Sequence, residues 1–359
     1  MIVHRAFAFA AIASLAVASP ALAARRVAVP PPPGAYFSAD RNAVLPKLGK
    51  EITIGSTVDP LNGDVNPYGL AIAPAGGGSI SKGDLVVCNF NDSANIQGLG
   101  TTLEVLHPTP GSQPVRLAAD PTLTGCAAIA MGDPNPWVAA YDANDNPVVS
   151  DSGQIITPIN NYPWTGPWGQ AFVAPPKGAP AFYESNANDG SIVRINLGNP
   201  FTFDKIVTGF PVNHGVPGQI LAPSGLTYDP KRDLLYVVDG EGDQVVSIHA
   251  PENVPAGGIV VTKHGFEGPS AKAARLVYMG APLNAPISAA LLYNGDLAVG
   301  NTGNNVIVEL AGSKVVAMRK VDAGTTGAIF GMAASGTSAQ TQKLYFNDDN
   351  DNTVKVLSQ

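Results

Sequence analysis

A short Gly-led apolar segment recurs six times along the chain, and that repetition constrains the fold more than any other feature. The copies are Gly69-Leu70-Ala71-Ile72, Gly125-Cys126-Ala127-Ala128, Gly169-Gln170-Ala171-Phe172, Gly225-Leu226-Thr227-Tyr228, Ser288-Ala289-Ala290-Leu291 and Gly331-Met332-Ala333-Ala334, the fifth having lost its Gly. After each comes a turn and a second run of β-formers that mostly ends in Asn or Asp, at 85–89, 137–142, 182–186, 234–239, 297–301 and 344–348. In four copies a polar turn then leads to a third run, at 192–195, 245–248, 306–310 and 354–357. The onsets are spaced by 43 to 63 residues, too irregular for a solenoid stack but suited to propeller blades whose outer loops vary in length. Small residues in the first strand have a physical reason, because the innermost strands of neighbouring blades converge on a crowded axis. With 39 Gly and 32 Pro in 359 residues the chain is too rich in turn formers for a helical protein, and its 45% hydrophobic content supplies a sizeable core. The expectation is an all-β, six-bladed β-propeller of four-stranded antiparallel blades, with an irregular β-sandwich as the alternative.

The repeat resembles the NHL repeat: a Pro-x-Gly-Leu-Ala start, a strand ending in Asp or Asn, a Gly/Asn turn and a strand of alternating Ile and Val. Asn66-Pro67-Tyr68-Gly69-Leu70-Ala71 carries the likeness best, together with Pro223-Ser224-Gly225-Leu226, the run Leu235 to Asp239 and the run Val245 to Ile248. It covers roughly residues 50–359, the second copy being the most degenerate. What it implies is a fold more than an activity, since NHL-like propellers include binding scaffolds as well as lactonases and lyases.

The ends of the chain predict how the ring closes. The last copy stops after its third strand, so its blade lacks an outer strand, and Glu51-Ile52-Thr53-Ile54-Gly55 has no other partner. That segment is expected to complete the sixth blade and to remove an exposed edge. Upstream, one basic residue and the apolar run 6–17 lead to Ala21-Leu22-Ala23, the pattern of an export signal over residues 1–23. Residues 24–49, with their run of prolines, read as a stiff linker, and 50–359 as one propeller domain. The exported chain, periplasmic or extracellular and without a membrane span, carries 20 basic against 28 acidic side chains, which disfavours nucleic acid and anionic membranes as partners. A monomer is expected. Cys88 and Cys126 are the only cysteines; in an exported protein they suggest one disulfide across a blade boundary, with two buried thiols as the alternative.

In such blades the loop entering the first strand and the turn between the second and third strands open on one face. That face gathers Asn66, Asn89, Asn91, Asp92, Asn186, Asn188, Asp189, Asp239, Glu241, Asp243, Asn301 and Asp349, among other Asn and Asp residues. Such a rim suits a hard divalent cation such as calcium, yet Asn and Asp are also what these turns require. The segment holding Tyr162, Trp164 and Trp168 enters the third copy on the same face and offers a stacking platform for a sugar or other ring; the alternative is that its indoles fill space between blades. His214 is the only His expected there, so the three-His zinc site of the amidating lyases that share this fold is not expected. Two functions follow. The first is a non-enzymatic propeller whose polar face binds a carbohydrate or protein partner; the second is a metal-dependent, lactonase- or lyase-like enzyme using Asn186, Asp239 and Asn301 around the axis with His214 as base.

Overall fold

A computed structural model of the chain describes residues 37–38 and 40–359; the expected export signal and most of the expected linker lie outside them. Its strands form six sheets, one per repeat, each with an antiparallel four-stranded blade in which the Gly-led segment is innermost. The innermost strands, blades one to six, are Val65–Ile72, Cys126–Gly132, Pro167–Val173, Pro223–Asp229, Pro286–Leu291 and Ile329–Ser335. Each touches the next and the sixth touches the first, so the ring is closed. Among the described residues no helix is long and apolar enough to cross a membrane.

Closure occurs where the sequence places it. Lys50–Ser56 pairs antiparallel with Thr353–Ser358, Glu51 opposite Leu357 and Ser56 opposite Thr353. Both ends of the propeller therefore share one blade, with Lys50–Ser56 as its outer strand covering the edge of Thr353–Ser358. Upstream of this strand Ala43, Val44, Leu45 and Leu48 are buried against blades five and six. The Glu309 carboxylate accepts hydrogen bonds from the backbone N–H groups of Val44 (2.7 Å) and Leu45 (2.7 Å), so part of the expected linker is packed onto the ring.

The repeated glycines are small for the expected reason. A Cβ on Gly169 would lie 1.6 Å from the Ser224 carbonyl oxygen, one on Gly225 2.6 Å from Ser288 Cα, and one on Gly331 2.4 Å from the Tyr68 carbonyl oxygen. In each case the obstacle is the innermost strand of the following blade. All six innermost strands also break register with the second strand at this level, which turns the glycine toward its neighbour. Blade two departs from the expected alignment: Ala128, not Gly125, occupies the position equivalent to Gly69 on the channel wall. Gly125 instead adopts φ 71° in the preceding turn, a left-handed conformation that glycine tolerates.

Cys88, on the second strand of blade one (Leu85–Asn91), is bonded to Cys126 at the start of blade two, with Cα atoms 5.9 Å apart. The insertion after Pro251 forms the hairpin Ile259–Thr262 and Gly265–Glu267. It adds in parallel to the outer strand of blade three, Val207 opposite Ile259, although it springs from blade four. Val254, Ile259 and Val261 are buried in the core between these two blades, so the insertion straps them together.

Candidate functional site: the mouth of the central channel

The residue that precedes each small residue of the ring faces the channel mouth on the polar side. Around the axis these are Tyr68, Ala127, Trp168, Ser224, Ile287 and Phe330. Tyr68 stacks on Phe330 with ring centroids 3.7 Å apart and on Phe90 at 4.2 Å. Trp168 stands edge-on to Tyr68, Phe90 and Tyr141 at 5.8, 5.7 and 5.3 Å. The Trp168 contacts are the favourable T-shaped ones for aromatic pairs, and together the rings seal the polar end of the channel with apolar surface. The rule that finds this tier, the residue before the small residue of each repeat, is legible in the sequence, and a search for polar side chains alone passes over it.

Two loops from opposite sides of the ring meet above the aromatic seal. A Cβ on Gly218, in the connection from blade three to blade four, would lie 2.9 Å from Gln97 Cδ, and one on Gly98 would lie 3.4 Å from Pro217 Cβ. Ile220, Ala222 and Val212 of the same connection pack onto the aromatic cluster. His214 lies in this lid at φ 50°, with its side chain exposed. Neither loop contact is visible in the sequence, because the partners are more than a hundred residues apart.

The indoles do not form a shared platform. Trp168 is 5% exposed within the mouth cluster, while Trp164, 3% exposed, lies between blades two and three against Phe203, with half-buried Tyr162 edge-on to it at 4.6 Å. Trp164 Nε1 donates to the Ile159 carbonyl at 2.5 Å, which satisfies its only polar atom.

The expected rim residues are held by neighbouring backbone, Asn186 and Asn301 by the loop that enters their blade and Asp239 by its own turn. The Asn186 Oδ1 accepts from Thr165 N, and the Asn301 amide bridges Asn284 N and the Pro282 carbonyl. Asp239 accepts from Glu241 N, Gly242 N and Gln244 Nε2, and burial pushes its carboxyl up to about 6. All three side chains are buried. Among the described residues no group of three or more His, Cys, Asp or Glu side chains is placed to hold a metal ion. An axial cation held by Asn186, Asp239 and Asn301 therefore does not fit the residues present: the inner tier is apolar and these three side chains already hold neighbouring backbone and amide groups. On the opposite face His107 pairs with Asp84 at 2.6 Å, as its place after a third strand implies.

One titratable group at the mouth is not taken up in this way. Asp349, at the turn between the second and third strands of blade six, is partly exposed. With the Asn66 side-chain amide turned over, its nitrogen donates to the Asp349 carboxylate at 2.5 Å and its oxygen accepts from Asn91 Nδ2 at 2.8 Å, a bond that opposes a rise in the carboxyl's pKa. Asn66 reaches this position from a left-handed backbone conformation, φ 67°, which Asn tolerates better than most residues. Burial, and then the charge of Asp348, push the Asp349 carboxyl up to about 7. The Tyr68 phenol beside it is pushed well above its ordinary value by burial and by the Asp349 charge.

Below the seal the innermost strands enclose a cavity of 130 Å³. On its wall Gln170 Nε2 donates to Asn146 Oδ1 at 2.6 Å, and Asn146 Nδ2 donates to Glu184 Oε2 at 2.6 Å. Glu184 Oε1 accepts from Trp168 N at 2.9 Å. Burial pushes the Glu184 carboxyl well up, against the pull of the bonds from Asn146, Trp168 N and Gln170, and this carboxyl anchors the backbone of the mouth tryptophan.

No protein-family model matches the chain, and no curated protein does either. Solved structures do. A gluconolactonase from Xanthomonas campestris superposes with TM-score 0.59 at 13% identity, over 90% of this chain and 97% of that one. The calcium-binding protein regucalcin from Agrobacterium tumefaciens gives 0.55 at 15%, over 85% and 93%. Virginiamycin B lyase from Staphylococcus aureus gives 0.52 at 14%, over 86% and 98%. At these identities the likeness is one of fold: the chain has the six-bladed propeller architecture of these lactonase and lyase structures.

Proposed function

We propose that this chain is an exported, monomeric lactonase- or lyase-like propeller that performs acid–base chemistry at the mouth of its channel, with Asp349 as the proton-transfer group. The observation that carries the proposal is the environment of that carboxyl: partly buried at the channel mouth, beside the Tyr68 hydroxyl, and pushed up to about 7 by burial and the Asp348 charge. A group with such a value is present in both protonation states near neutral pH, which is what efficient general acid–base catalysis asks for. As a base Asp349 takes a proton from an attacking water or from a carbon next to a carbonyl; as an acid it returns one to the leaving oxygen. The Asn66, Asn91 and Gln97 amides around it are neutral hydrogen-bonding groups suited to an uncharged, oxygen-rich ring such as a lactone. The lactonase and lyase activities of the structural neighbours support this reaction class, while the axial metal of the expected enzyme has no fitting ligand set here.

The test is hydrolysis of a panel of simple lactones by the purified chain. Turnover should follow an apparent pKa near 7 and fall by ~10²-fold or more in Asp349→Asn. Undiminished turnover in that variant would refute the assignment of Asp349. A second reading, non-enzymatic binding of a carbohydrate or protein on the polar face, is favoured by the aromatic seal and by the loops that cover it. Ligand-dependent stabilisation without turnover of any substrate would select it.

A further inference from the structure

Blade one has two unlike faces. Its strands place Cys88 opposite Leu103, facing blade two, where Cys88 is bonded to Cys126. Alternation therefore turns Asn89, Thr102, Glu104 and Arg116 toward blade six. The segment that links the closing strand to blade one folds over that face. Asp59 from this segment forms a two-pronged ion pair with Arg116, with Nε to Oδ2 at 2.7 Å, and also accepts from Leu61 N and Asn62 N. Asn89 Nδ2 donates to the Thr57 carbonyl at 2.9 Å and to Thr102 Oγ1 at 3.2 Å. The Asp59 and Thr102 side chains lie against the Glu104 carboxyl.

Thr57, Asn89, Thr102 and Glu104 are fully buried, at 0% exposure. Oδ1 of Asn89 and Oγ1 of Thr57 have no hydrogen-bond partner, and the Glu104 oxygens meet only the Thr102 hydroxyl and the Asp59 carboxylate. Buried polar atoms are almost always satisfied, so such a concentration of orphans calls for an occupant. Arg116 already balances Asp59, and Glu104 has no ion pair of its own. A proton shared by Glu104 and Asp59 would satisfy one Glu104 oxygen and leave the Asn89 and Thr57 oxygens unanswered. The donor set, one carboxylate with a second against it, an amide oxygen, two hydroxyls and the Thr57 carbonyl, is all oxygen, which is what calcium selects and zinc does not.

We propose that this pocket between blades one and six binds one calcium ion, with Glu104, Asn89, Thr57 and Thr102 as its ligands, and that the ion locks the closing segment onto blade one. The site lies off the channel axis, on the blade-six side of the second and third strands of blade one, and does not depend on the reading of Asp349. The experiment is equilibrium dialysis of the chelator-treated full chain against calcium, with bound metal measured by atomic spectroscopy and unfolding followed thermally. One calcium per chain is expected, with a rise in Tm of about 5 °C at a hundredfold excess over the dissociation constant. Glu104→Gln should abolish the binding and the rise, and Thr57→Val, which tests the site even where the first variant does not fold, should weaken binding at least tenfold. Asp349→Asn should bind as the wild type does. No bound calcium at millimolar concentration would overturn the proposal and leave the pocket to a proton or a water. Undiminished binding in Thr57→Val together with loss in Asp349→Asn would overturn it in favour of an ion at the mouth.

Discussion

Replacing Gly169 by Ala tests the principle on which the ring is built. The new Cβ would stand 1.6 Å from the Ser224 carbonyl oxygen and 2.5 Å from its carbon, so blade four would have to retreat by more than about 1.5 Å to restore ordinary contact. The obstacle is backbone, which cannot turn aside as a side chain can, and in a closed ring a retreat at one boundary tightens another. Overpacking of an ordinary core site costs ~1–3 kcal/mol, and this site should reach or exceed the upper figure. Gly225→Ala, with its nearest atom at 2.6 Å, and Gly331→Ala, at 2.4 Å, should be less severe. Gly49→Ala is the control: nothing lies within 4 Å of its Cβ, and the loss of unfolded-state freedom should stabilise the chain by ~0.4–1 kcal/mol. Urea unfolding of the four variants gives the order directly. A Gly169→Ala midpoint equal to that of the wild type would show that the blades are not held at backbone contact, and the reasoning would fail with it.

The Cys88–Cys126 bridge spans a sequence separation of 38, so the chain-entropy model puts its contribution at ~4 kcal/mol; the paired Ser variant should unfold at lower denaturant, and an unchanged midpoint would refute this. Trp168→Ala empties the centre of the mouth cluster and should cost ~3–5 kcal/mol, read by the same assay; a loss below ~1 kcal/mol would mean that the indole packs little and is free for a ligand. Glu184 is an acid whose folded value is raised, so the folded chain keeps a proton that the unfolded chain releases, and stability declines as pH rises above about 4.5. Glu184→Gln should remove a slope of ~1.4 kcal/mol per pH unit from the wild-type profile above that value, and parallel profiles for the two proteins would contradict the assignment.

What the sequence made legible is what the backbone demands. Gly69, Gly169, Gly225 and Gly331 mark where one blade meets the next, because a Cβ at each would meet the neighbouring blade, and the unpartnered strand at 51–55 had one place to pair. Blade two was misaligned because its ring position holds Ala128, while Gly125 serves a turn. The hairpin of the insertion could not be placed, since it pairs with a blade that precedes it in the chain. For Asn186, Asp239 and Asn301 the sequence was ambiguous for a chemical reason: the oxygen that would bind a cation is the one that caps a turn, at the same spacing. Only their burial and partners distinguish the two roles, and these show Asp239 capping its own turn while Asn186 and Asn301 hold the loop that enters their blade.

The same geometry accounts for the off-axis position of the proposed chemistry. Six side chains, one per blade, converge just above the ring of small residues, and whatever a propeller presents at its axis is written in those six positions. Here they are Tyr68, Ala127, Trp168, Ser224, Ile287 and Phe330. Without a carboxylate among them, this tier lacks the charge to draw a divalent cation out of water. A polar ligand arriving on this face instead meets apolar rings at the centre and amides at their edge. The titrating group nearest that boundary belongs to a turn, Asp349, and its raised value follows from the same sealing that closed the channel: the aromatic cluster that excludes water from the axis also strips solvent from the carboxyl beside it.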